Sequence, residues 1–172
     1  MVSLVLLFLF TLLISNLLQT SLLEEKISAN EFSRSSAFQA AESALRDAEQ
    51  FITSSDPVFN PLELSNGPFQ GADCVNGLCP FYIFPLCLVA DFNWSSKARG
   101  MSGSLPYVVQ VPKYVIELVS HTVSDDGESI DVLFRITSRA WGKDINTVVQ
   151  LQSYFSLNAV KSRRIAWREI VN

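Results

Sequence analysis

No proline occurs before Pro57 and no glycine before Gly67, so the ordinary stops of a helix are missing from the whole first third of the chain. The same stretch begins with residues 1–23, which carry no charge at all. Such a run can be a signal peptide, a membrane anchor or part of the working structure. A signal peptide has a basic start, an apolar stretch of about 7–15 residues and a small-residue cleavage site. Here no basic residue precedes the run, and the run is longer. Crossing the hydrocarbon of a bilayer takes about 20 mainly apolar residues, a length that residues 1–23 meet. Ser3, Thr11, Ser15, Asn16, Gln19 and Thr20 lie inside the run. Hydroxyls bond back to the helix, whereas Asn16 and Gln19 are costly against lipid and point to helix–helix contact.

Glu24, Glu25 and Lys26 then mark a water interface. Beyond them the pattern changes type without a break. In "AFQAAESALRDAEQFI", Phe38, Ala41, Leu45, Ala48 and Ile52 recur at alternating steps of three and four, an apolar stripe along one helix face. The intervening Ala, Glu, Gln and Arg are strong helix formers, and Arg46, Asp47 and Glu49 read as its solvated face. The expectation is one continuous helix from about residue 2 to about residue 53, roughly 75–80 Å long. Residues 1–23 form its membrane-spanning half and residues 24–53 its amphipathic half, packed on a globular head of residues 54–172.

The segment 54–69 is rich in Pro, Ser, Asn and Gly and reads as a loop. "YVVQV" (107–111) and "KYVIELVSH" (113–121) carry strand residues, with Pro112 marking an edge or a bend. Residues 129–141 alternate, with Ile130, Val132, Phe134 and Ile136 on one face. Residues 146–157 alternate likewise, and "SDDGES" and "GKDIN" supply the turns. The fold class is α+β: a long N-terminal helix covering a small antiparallel sheet.

The formal net charge of −4 argues against nucleic acid as a partner. The one basic cluster, Lys161, Arg163, Arg164 and Arg168, reads as a solvated C-terminal patch. Three cysteines are present. "CVNGLC" turns through Asn76–Gly77, so Cys74–Cys79 is the expected disulfide outside the cytoplasm, with Cys79–Cys87 and free buried thiols as the alternatives. With His121 the only histidine, zinc lacks ligands. No phosphate loop, dinucleotide fingerprint, zincin or serine-hydrolase motif occurs. Ser102 in "GMSGS" has no evident base. Asp125, Asp126, Glu128 and Asp131 depart from calcium-loop spacing. "NWSS" at 93–96 is a formal glycosylation sequon, and Trp94, Trp141 and Trp167 read as core or interface anchors. Neither an enzyme nor a cofactor or metal is expected.

"SLLEEKISANEFSRSSAFQAAESALRDAE", "CVNGLC", "PKYVIE", "FRITSRAWGKDINTVVQLQSYF" and "RRIAWREI" together resemble PilX-type minor pilins of type IV pili. The resemblance runs from end to end, least closely over 55–72 and 88–105. It implies the type IV pilin fold, insertion in the bacterial inner membrane with the head in the periplasm, and processing by the prepilin peptidase. It also implies assembly with other minor pilins, the major pilin and a PilY-type tip adhesin, in a complex that primes the pilus and serves adhesion, aggregation or twitching motility. With Met1 as the processed, N-methylated end, the position where pilins usually carry Glu is Val5. In the family that carboxylate meets the N-terminal amine of the subunit assembled before, and a buried unpaired charge is expensive. A valine there suits a subunit at the tip, with no earlier neighbour. The alternatives are a type II secretion pseudopilin of the tip complex and a membrane-anchored periplasmic binding protein.

Overall fold

The computed structural model describes residues 2–54, 67–71, 73–80, 92–123, 130–158 and 161–171. Its first element is a single helix, α1, Val2–Thr53. At 52 residues it extends about 78 Å. Within it, Thr11 and Ser36 return their hydroxyls to the carbonyls of Phe8 and Phe32, so these polar residues do not interrupt the ladder.

Burial divides the helix at Ser33. The described side chains ahead of it are all exposed, including Leu4, Val5, Phe8 and Phe10. From Ser33 onward one face is covered. The head is therefore met about two turns beyond Lys26, later than the change in sequence pattern at residue 24. Among the described residues, no helix is long and apolar enough to cross a membrane. The side chains of residues 12–13 and 15–18, Asn16 among them, lie outside the described set, so the anchor remains a reading of the uncharged sequence.

A short 3-10 turn (Pro68–Gln70) precedes β1 (Leu78–Cys79), a one-turn helix α2 (Trp94–Lys97) and β2 (Arg99–Gly100). Four long strands follow: β3 (Lys113–Val123), β4 (Ile130–Trp141), β5 (Val148–Asn158) and β6 (Arg163–Ile170). The order is β1-β3-β4-β5-β6, with β2 also on β3. The long strands pair antiparallel in sequence order, in a register that sets Phe134 opposite both Leu118 and Phe155.

The structure corrects three expectations. The sheet is mixed, because β1 runs parallel to β3. Asn76 and Gly77 take positive φ (49° and 83°), and the turn lays Leu78 and Cys79 alongside Ile116 and Glu117. A side chain at Gly77 would meet the Tyr114 carbonyl oxygen at 3.1 Å and the Arg99 backbone nitrogen at 2.9 Å, so glycine is required both by conformation and by space. Next, residues 107–111 form turns rather than a strand. Tyr107 sits at φ 64°, outside the extended region, and Val109 N–H donates to the Gly142 carbonyl instead of to a ladder. Lastly, the basic tail contains a strand, β6, paired along β5 from Ser156 to Gln150, and of its basic residues Arg164 turns in to α1 while Lys161, Arg163 and Arg168 are exposed as expected.

The core lies between α1 and the inner sheet face. Ala37, Ala40, Ala41, Ala44 and Ala48 bring the helix backbone close, and Leu45 and Ile52 fill the gaps against Ile116, Phe134, Ile136 and Leu151. Burying Leu45 or Ile52 is worth about 1.5–3 kcal/mol each. Where the helix enters the head, a Cβ on Gly142 would come within 2.5 Å of the Ser33 carbonyl oxygen, while Ser33 Oγ accepts from Lys143 N–H. A bare backbone at the end of β4 thus lets the sheet abut the helix.

Candidate functional site

Long-range polar contacts gather on the packed half of α1. On the inner side of β6, Arg164 donates from Nε to Glu49 at 2.6 Å and from Nη1 to both Glu42 oxygens at 2.9 and 3.1 Å. Burial opposes its charge, but the bonds from Glu49 and Glu42 outweigh that and raise the guanidinium pKa. Three residues further along, past a bulge opposite Tyr154 and Phe155, Trp167 sets its ring edge-on to Phe38 at 6.0 Å. Arg34 then pairs with Glu169 at 2.6 Å. One strand therefore grips about four turns of helix through a cation, an aromatic ring and an anion.

A second set of contacts holds the end of α1. Asp47 accepts from the Ser102 backbone N–H and faces the buried Tyr114 hydroxyl. Burial, then the Asp47 charge, pushes the Tyr114 phenol upward. Arg99 lies 3.8 Å over the Phe51 ring. Asp47 and Glu49, read from the sequence as part of a solvated face, are thus engaged by the head. Of the expected stripe, Ala41, Leu45, Ala48 and Ile52 are buried and Phe38 is half-buried. Sequence reasoning passed over Ala37, Ala40 and Ala44, equally buried, because alanine gives a weak periodic signal.

The outer sheet face carries a second layer. Cys74 and Cys79 form a disulfide and pack with Phe92, Trp94 and Val115. Asn93, the sequon asparagine, caps α2 by accepting from Ser95 and Ser96 N–H. Beside β1, Glu117 accepts two hydrogen bonds from Arg135, at 2.7 and 2.8 Å, with both side chains nearly water-free. Arg139 lies between the rings of Trp94 and Trp141. Trp94 and Trp141 are buried, while Trp167 stays half exposed. Val5 sits on the bare half of α1, exposed. Met1, Cys87, Asp125, Asp126 and Glu128 lie outside the described residues. Among the described residues, no group of acidic, His or Cys side chains is arranged to hold a metal.

The arrangement holds one half of α1 firmly on the head. Residues 1–46 match the family model PilX N-terminal, and residues 34–157 match that of the type IV pilus assembly protein PilX C-term. The chain belongs to the PilX family. The two matches overlap over 34–46, the stretch of α1 where the bare helix becomes the packed one. No curated protein and no solved structure matches. Membership in the PilX family, a family of structural pilins, places the chain in type IV pilus assembly, in company with other pilus components and in the membrane or fibre where pili are built.

Proposed function

We propose that this PilX-family chain is a minor pilin that primes type IV pilus assembly as part of a tip-proximal complex. The observation that carries the reading is the unbroken helix Val2–Thr53, bare ahead of Ser33 and clamped to the head beyond it. A simple tether needs no rigid joint. A subunit that must pull its head into a defined place in a fibre does.

In this reading residues 1–23 anchor the chain in the inner membrane with the head in the periplasm, a compartment that suits the Cys74–Cys79 disulfide. On assembly the same residues pack among the helices of other minor pilins and the major pilin, and a PilY-type adhesin caps the complex. The fold is then that of a type IV pilin. If Met1 is taken as the processed, N-methylated end, Val5 puts no carboxylate into the helix core at the position pilins usually reserve for one. A buried carboxylate without a partner amine is costly, so Val5 favours the place with no earlier neighbour. Adhesion, aggregation and twitching follow through the fibre.

Gold labelling of an epitope-tagged chain on sheared pili tests the placement. A few particles at one fibre end are expected. Labelling spread evenly along the shaft contradicts the tip.

A further inference from the structure

β6 is the last strand of the sheet, and among the described residues nothing pairs with its far side. A strand so placed presents a row of free N–H and C=O groups. Terminal strands commonly fray, but this one is fixed from beneath by Arg164, Trp167 and Glu169 on α1. It is a rigid template rather than a loose end.

Its charge is one-sided. Lys161, Arg163, Arg164 and Arg168 stand against Glu169 alone, on a chain whose net charge is −4. The helix carboxylates meet Arg164, and Arg168 donates to Gln152 Oε1. Among the described residues no carboxylate pairs with Lys161 or Arg163. Both line a cleft of ≈ 430 Å³ over this end of the sheet, with Ser156 and Ile165. Asp131, the carboxylate on its wall, is held by Asn158 Nδ2. Beside the cations, Ile165 and Trp167 remain 58% and 53% exposed. Cations and a bulge are devices that turn away a neutral or basic strand. They do not turn away an acidic one.

We propose that β6 accepts an extended acidic segment of another pilus subunit as an added strand. Its carboxylates lie over Lys161 and Arg163, and its apolar side chains lie beside Ile165 and Trp167. Main-chain bonds supply the affinity and the cations choose the partner. The partner's being a pilus subunit rests on the assembly reading; the docking chemistry does not.

The test uses the full chain, isotopically labelled in detergent micelles. It is titrated with an eight-residue peptide alternating valine and glutamate, and with its valine–lysine counterpart. The glutamate peptide is expected to shift the amide resonances of 161–171 saturably. The lysine peptide should bind at least tenfold more weakly, and Lys161→Glu with Arg163→Glu should reverse that preference. No saturable shift, shifts centred elsewhere, or equal binding of the two peptides overturns the proposal. Such a failure leaves pilus assembly by this chain untouched, since assembly is read separately by counting pili on cells.

Discussion

Replacing Glu117 by alanine is expected to destabilise the head by about 3–5 kcal/mol, because it takes both carboxylate acceptors from a largely desolvated guanidinium. Glu117 is 1% exposed and grips Arg135 with both carboxylate oxygens across β3 and β4. Small domains are held by only about 5–15 kcal/mol in total, so this one change consumes a large share of the margin. Thermal unfolding of the purified chain measures it. The companion variant, Glu117→Leu with Arg135→Met, separates the loss of the pair from the cost of leaving the guanidinium without this carboxylate. It should recover most of the lost stability, because an apolar pair of similar volume often equals a buried ion pair. If the double variant is as unstable as Glu117→Ala, the charge is not what the single change exposes. The site also matters to the loop beside it, since β1 runs next to Glu117 through Cys79.

Leu45→Pro is expected to cost still more. Leu45 is fully buried in the middle of the packed stretch of α1. Proline there removes the hydrogen bond from residue 45 to the Ala41 carbonyl and collides with that carbonyl, at about 3 kcal/mol or more. Losing the leucine from the core adds about 2–5 kcal/mol. Leu45→Ala suffers only the second loss and keeps the helix. The expected result is a proline variant without a cooperative unfolding transition, beside an alanine variant with a lowered but clear one. Equal transitions in the two would show that α1 need not be continuous through the head.

The helix was legible because its signals are local. Absent Gly and Pro, an uncharged start and a stripe at steps of three and four all act within a few residues, and α1 spans Val2–Thr53. The strands Lys113–Val123, Ile130–Trp141 and Val148–Asn158 were legible from alternation. Residues 107–111 misled because valine and tyrosine favour strands in general, yet Tyr107 at φ 64° turns the chain and Val109 finds its partner in the Gly142 carbonyl. β6 was missed because Arg164, Trp167 and Glu169 face the helix with polar or amphipathic groups, so its inner face does not read as hydrophobic. The clamp itself joins Arg164 to Glu42 and Glu49 across 122 and 115 residues. No pattern within a short window can show such a pairing. Parallel pairing of β1 rests on two residues and a positive-φ turn, too little sequence to carry a signal.

In the proposed reading, the contacts between α1 and the head make the two move as a unit during pilus assembly. The most direct measurement is the yield of surface pili sheared from cells that lack the gene, set against cells in which the wild-type chain is restored. The account predicts at least a tenfold fall in pili on deletion and full recovery with the wild-type chain. Undiminished pili on the deletion strain would contradict it.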